Sequence, residues 1–283
     1  MSYRKILVPL FDGAGDEIAV QQAMAIAAAF KSHVAAILAR PDPADTVRQI
    51  DPALSARIIQ ELIDSARATT THELARGRAL LEAAGTKAGV EEKDGTPGWS
   101  IHVREGLLDD VMAQEALLSD LTVFAHPADY ADRSIWMALE AALLGSRRPL
   151  LVVPRGFTDI VGKKVAIGWD GGRAASHAVF TALPLLCRAG AVEILTIGSG
   201  NAERVLMDDL TRYLRMHGVQ AAQRAVSPGT LDIGYTLADA AKRADAALLV
   251  VGGYGHSRLR EFVLGGVTRH LLANASLPIL MAH

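Results

Sequence analysis

Two kinds of hydrophobic pattern alternate along this chain. Short, nearly unbroken apolar runs, such as ILVPL near the start, LLVVP at 150–154 and LLVV at 248–251, read as strands covered on both faces. Between them lie longer stretches whose apolar positions recur every three to four residues, the mark of amphipathic helices. Helices are expected over residues 17–30, 107–118, 135–144, 173–187 and 233–244, and strands over 33–40, 99–106, 121–125, 191–199, 219–226 and 247–251. Strands alternating with helices imply a parallel sheet with right-handed crossovers, an α/β architecture.

The pattern occurs twice. YRKILVPLFDG at 3–13 is answered by GKKVAIGWDGG at 162–172, and RRPLLVVP at 147–154 by SLPILMAH at 276–283, with Pro149 matching Pro278. The halves divide near Gly156 to Gly162, giving expected units at 1–156 and 160–283 with five strands each. The first half carries extra length between its second and third strands. There Ile58, Ile59, Leu62, Ile63, Ala66, Leu74, Leu80 and Leu81 predict a long helix within 51–85, either packed on the sheet or offered to a partner. Residues 85–98 read as a polar, glycine-rich loop.

Composition narrows the function classes. Half the residues are hydrophobic, enough for a large buried core, and the formal net charge of −2 offers no basic field for nucleic acid or an anionic membrane. The apolar run before Asp12 is too short for a secretory signal, and no stretch reads as a membrane span. The single cysteine, Cys187, excludes an intrachain disulfide; it is expected as a small core residue in a reducing, cytoplasmic setting.

Candidate chemistry gathers in LLVVGGYGHSRLREFVLGGVT, residues 248–268. A buried strand ends in Gly252, Gly255 follows, and Gly265 and Gly266 open a helical pattern with Val267 and Thr268. Glycine admits close backbone approach, and free N–H groups at a helix start favour an anion such as phosphate. The spacing G-x2-G-x9-G resembles the nucleotide-binding signature of the universal stress protein family. That resemblance extends over the whole chain as a tandem arrangement of two flavodoxin-like or Rossmann-like (adenine nucleotide alpha hydrolase-like) domains. Each would hold a parallel sheet in the order 3-2-1-4-5, with the last strands, Leu150–Val153 and 279–281, facing each other as an intrachain pseudo-dimer. A homodimer is compatible with it.

The resemblance implies a stress-response regulator that binds ATP or AMP, with or without Mg²⁺, and at most hydrolyses ATP slowly. Asp170 would lie beside the nucleotide, the backbone of Ile197 would meet adenine, and Gly252, Gly255, Gly265, Gly266, Val267 and Thr268 would hold the phosphates. Capping the helix that follows is the other role open to Asp170 and is compatible with the first, but the glycine loop in the same half favours the ligand role. Gly266 stands where the family commonly has Ser or Thr, and Tyr254 where a basic or polar residue is frequent.

In the first half Ala125 and Ala128 replace Gly252 and Gly255, with His126 and Pro127 between them. That half is expected to keep the fold and to have lost most of the site, leaving Asp12 as a helix cap. No metal cluster, nucleophile motif or paired-carboxylate site stands out, so no catalytic residue is assigned. The rival function is a nucleotide-free adaptor that binds another protein. An adenylating enzyme is a third reading, disfavoured because the matching motifs are missing.

Overall fold

The computed structural model describes residues 2–50, 55–129, 134–157, 159–198, 200–228, 233–253, 271–272 and 276–283. Its centre is one ten-stranded sheet in the order β3-β2-β1-β4-β5-β10-β9-β6-β7-β8. The first half supplies β1 (Lys5–Pro9), β2 (His33–Arg40), β3 (Gly98–Glu105), β4 (Leu121–Ala125) and β5 (Leu150–Val153). The second supplies β6 (Lys164–Gly168), β7 (Ala191–Ile197), β8 (Ala221–Val226), β9 (Leu248–Gly252) and β10 (Ile279–Ala282). Each half therefore has the order 3-2-1-4-5, parallel within itself.

The halves meet where β5 and β10 pair antiparallel, the one antiparallel pairing in the sheet. Leu151 faces Leu280, Val152 faces Ile279, and Leu150 faces Met281. Each half gives its own equivalent residue to the central pair and exchanges the flanking ones, as a pseudo-two-fold axis through Leu151 and Leu280 requires. The pairing closes two edges that would otherwise expose unpaired backbone.

The unbroken apolar runs have a simple cause. Successive strand residues point to opposite faces, and both faces of this sheet are covered. In β1, Ile6 and Val8 enter one core layer and Leu7 the other. The first layer is formed with helices α1 (Asp16–Phe30), α3 (Ala56–Ala88), α6 (Arg173–Leu186) and α7 (Asn201–Met216). The second is formed with α4 (Leu108–Leu117), α5 (Ser134–Glu140) and α8 (Ile233–Arg243). A short helix, α2 (Pro43–Ile50), precedes α3. The outermost strands depart furthest from full burial: β8 is largely exposed and carries Gln223 and Arg224, which discourage further pairing.

Further ties cross between the halves. The Tyr3 hydroxyl donates to the Thr181 carbonyl at 2.8 Å. Burial, followed by the nearby Asp120 charge, pushes the Tyr3 pKa well above the ordinary phenol range and keeps it neutral. Arg188 places its guanidinium 4.3 Å from the Phe30 ring centroid and donates to the Ala29 carbonyl.

Some sequence expectations need correction. The long helix runs on to Ala88, into the segment read as loop, and stops at Gly89, whose φ of 69° ends it with a left-handed cap. Ser55 caps its start by accepting from the Ile58 N–H. Cys187 is exposed, not buried, because it lies one residue past the end of α6, where the chain turns outward. Helices α2 and α7 were not singled out in the sequence.

Candidate functional site

In a doubly wound sheet, ligands collect at the carboxyl ends of strands where the strand order reverses. In the second half that point lies between β6 and β9, and it is where the described candidate residues meet. Gly252 ends β9, Asp170 follows β6, and Ile197 ends β7, so three neighbouring strands bring them to one edge. Gly255, Gly265, Gly266, Val267 and Thr268 lie outside the described residues, as do Tyr254, Arg258, Arg260 and Arg269.

Asp170 is exposed, and its Oδ1 accepts the Gly172 N–H at 2.7 Å. The carboxylate thus stabilises the turn that leads into α6, but it does not cap the helix: the N-cap is Gly172, which makes no side-chain bond to the first turn. Gly171 between them has φ 74°, a left-handed turn that favours glycine. Ile197 is half-buried and pairs with Val226; beyond it the Gly198 N–H donates to the Val226 carbonyl at 2.9 Å. Gly252 proves to be a contact point between strand and helix. A Cβ there would stand 2.4 Å from the Ala175 nitrogen and 2.6 Å from the Ala174 carbonyl carbon. The first turn of α6 rests directly on the end of β9, so this glycine has a packing reason independent of any ligand.

Beside this edge a groove of about 680 Å³ opens between α6 and α7. Trp169, Arg173, His177, Phe180, Asp209 and Tyr213 are among its walls. The Trp169 indole N–H donates to the Leu206 carbonyl at 3.0 Å, which ties the segment between β6 and α6 to α7.

The first half was expected to have lost most of its site, yet it holds a cleft of about 530 Å³ at the matching edge. Phe11, Asp12, Gly13, Arg40, Asp129 and Ser134 contribute to its lining. Strand register fixes how the two edges correspond. Pro9 pairs with Ile37 as Gly168 pairs with Leu195, and the next N–H of each chain, from Leu10 and Trp169, bonds the same equivalent carbonyls. Asp12 therefore occupies the place of Gly171, and Phe11 that of Asp170, the same correspondence that segments 3–13 and 162–172 give when set end to end. Both Asp12 and Gly171 have positive φ, 57° and 74°.

Asp12 is not the helix cap it was expected to be. Its Oδ1 pairs with Arg76 of α3 at 2.9 Å, while buried Asp16 accepts the Phe11 and Gly13 N–H groups. Arg40 is held by Glu73 of the same helix at 2.7 Å, and Asp129 by Arg155 at 2.5 Å. His126 stands where Gly253 stands in the second half and is buried, its Nδ1 accepting the Ala128 N–H at 3.1 Å. Burial holds its pKa below the ordinary histidine value, against the opposing pull of Asp129. Among the described residues no group of three or more His, Cys, Asp or Glu side chains is arranged to hold a metal ion, and no helix is long and apolar enough to cross a membrane.

Comparison with known proteins bears on this geometry. Residues 229–283, which include β9, the glycine segment and β10, match the model of the universal stress protein family. A universal stress protein of Synechocystis sp. is 25% identical over 247 residues, covering 80% of this chain and 78% of that protein. The fold superposes on a universal stress protein from Archaeoglobus fulgidus DSM 4304 with a TM-score of 0.72 at 11% identity, over 100% of this chain and 99% of the other. A functionally unknown protein from Pseudomonas aeruginosa PAO1 follows at 0.58 and 15% identity, over 99% and 92%. The glycine-bearing strand end and the mirrored 3-2-1-4-5 sheets are thus joined by a likeness to universal stress proteins, in sequence over residues 229–283 and in fold over the whole chain.

Proposed function

We propose that this protein binds an adenine nucleotide, ATP or AMP, at the strand-end edge of its second half, and acts as a nucleotide-dependent regulator of the stress response in the cytoplasm. The reading treats residues 1–156 and 160–283 as two units, with the ligand in the second. The observation that carries it is the convergence of Gly252, Asp170 and Ile197 at the strand-order reversal, with G-x2-G-x9-G running on from Gly252. Asp170 would accept from ribose or adenine, and the backbone beyond Ile197 would border the base. Gly255, Gly265, Gly266, Val267 and Thr268 would supply N–H groups and a hydroxyl to the phosphates. No catalytic role is assigned, and Mg²⁺ would enter only with the nucleotide.

Titration of the intact chain with AMP and ATP tests the reading. Gly255→Val should abolish binding with the melting temperature preserved, because a branched side chain fills the space proposed for phosphate. Gly266→Ser should tighten it, by about tenfold to a hundredfold at most for one added bond to a charged acceptor. A folded Gly255→Val protein with unchanged affinity overturns the reading. Absence of binding in the unsubstituted protein would favour the adaptor instead. That alternative draws support from the amino-terminal part of α3, where Ile58 and Leu62 are 44% and 41% exposed.

A further inference from the structure

The geometry points to a second binding site in the first-half cleft, built to accept a phosphate-free ligand of nucleoside size through Asp129 and to turn phosphates away. The starting observation is an incomplete carboxylate. Asp129 lines the cleft with its side chain only 11% exposed, and its Oδ1 is paired with Arg155. Its Oδ2 is buried and has no hydrogen-bond partner. A buried charged oxygen without a donor is costly, and native structures almost always satisfy such atoms. An N–H or O–H group on a ligand entering the cleft would complete it.

Charge decides the ligand class. Among the described residues each arginine at the cleft is already engaged: Arg40 by Glu73, Arg76 by Asp12 and Arg155 by Asp129. A phosphate would meet the carboxylates of Asp12 and Asp129 and, among the described residues, no uncommitted arginine. The position sharpens the contrast, because Ala125 is the register equivalent of Gly252. Asp129, four residues on, thus lies in the loop that corresponds to the proposed phosphate loop of the second half. One half offers glycine backbone there, and the other a carboxylate.

Size and shape agree. About 530 Å³ suits a nucleoside-sized molecule. Phe11 offers a flat wall, braced by stacking on buried Phe124 with ring centroids 6.3 Å apart. Helix α3 fixes the mouth, since Glu73 and Arg76 are spaced to lie on one face and reach Arg40 and Asp12. The choice of a nucleoside rests on the reading proposed for the second half; the rejection of phosphate does not.

The test is hydrogen exchange with mass spectrometry, paired with calorimetry, on the intact chain with adenosine or AMP. Adenosine should protect residues 9–16 and 125–136, and AMP should leave those segments unchanged. Asp129→Ala should weaken adenosine binding at this site at least tenfold, with AMP affinity unchanged. Asp129→Asn, which keeps the shape, should weaken it at least threefold. Glu73→Gln, which releases Arg40, should let AMP protect the first-half segments. The proposal is overturned if adenosine protects neither segment, if AMP protects them as well as adenosine does, or if both Asp129 variants bind adenosine normally. Failure of AMP to bind at residues 168–175 would count against the second-half reading alone.

Discussion

The two strand-end edges share a backbone frame and differ in how their space is used. In the first half, helix α3 closes the mouth with two ion pairs, and each described charge at the cleft has an internal partner. In the second half, the β9 end is pressed onto α6 at Gly252, Asp170 braces a glycine turn, and Trp169 is bonded to α7. The same sheet register thus supports a charge-matched cleft on one side and a glycine-lined edge on the other. Duplication preserved what the core requires, and divergence concentrated in the residues just past the strands, where no core packing constrains them.

The comparison breaks most visibly at its matched pair, Gly252 and Ala125. Gly252→Val would drive side-chain atoms into the backbone of Ala174 and Ala175, which cannot move aside without shifting α6. A loss of roughly 3 kcal/mol or more is expected in urea unfolding. Ala125 already carries a Cβ in its buried place, and Ala125→Gly should cost only about 1 kcal/mol. Equal costs at the two positions would contradict the assigned packing.

The tie between the halves is tested next. Tyr3→Phe removes the hydroxyl that reaches Thr181 and leaves that carbonyl short of a donor. A loss of about 1–2 kcal/mol in global stability is expected. A change confined to local opening near Tyr3 would show that the halves unfold separately.

His126 adds a pH dependence that the second half lacks at the same place, since Gly253 cannot titrate. The folded-state pKa of His126 lies below the unfolded value, so the folded protein binds fewer protons as pH falls through the histidine range. Stability from this group is therefore present above the ordinary histidine pKa and declines as pH drops toward the lowered one. His126→Asn should flatten that part of the stability–pH profile, read by urea midpoints. An unchanged slope would show that the site does not titrate as described.

The smallest effect separates the ion pairs at the cleft from those on the surface. Arg57 and Glu61 pair at 2.9 Å on α3, with side chains 87% and 63% exposed. Arg57→Ala should change stability by no more than about 0.5 kcal/mol, and salt should erase the difference. The partly buried Arg40–Glu73 pair should resist salt more strongly, which denaturation at low and high salt would show for Glu73→Gln.

Particular residues show how far the sequence carries. The runs ILVPL and LLVV reveal doubly covered strands because burial on both faces forces apolar residues at every position. The repeated starts and the Pro-led ends give two matched halves, and the facing of Leu150–Val153 with 279–281 follows from closing two sheet edges. Helix α3 was visible through its periodicity, but its end was not, because GTKA reads as a turn until the αL cap at Gly89 settles the boundary. Cys187 looked buried in ALPLLC, and only the termination of α6 exposes it.

Of the candidate site, the sequence by itself determined the glycine spacing, Asp170 and the loss of Gly252 and Gly255 equivalents in the first half. These are local features, set by residue type and order. Only the tertiary structure decided that Arg76 and Glu73 reach back across the chain to Asp12 and Arg40, and that Asp129 keeps a buried oxygen without a donor. The physical reason is that register and long-range charge pairing depend on which strands and helices become neighbours. Residue order alone does not say that α3 lies against the mouth of the first-half cleft, and that contact is what pairs Arg76 with Asp12 and Glu73 with Arg40.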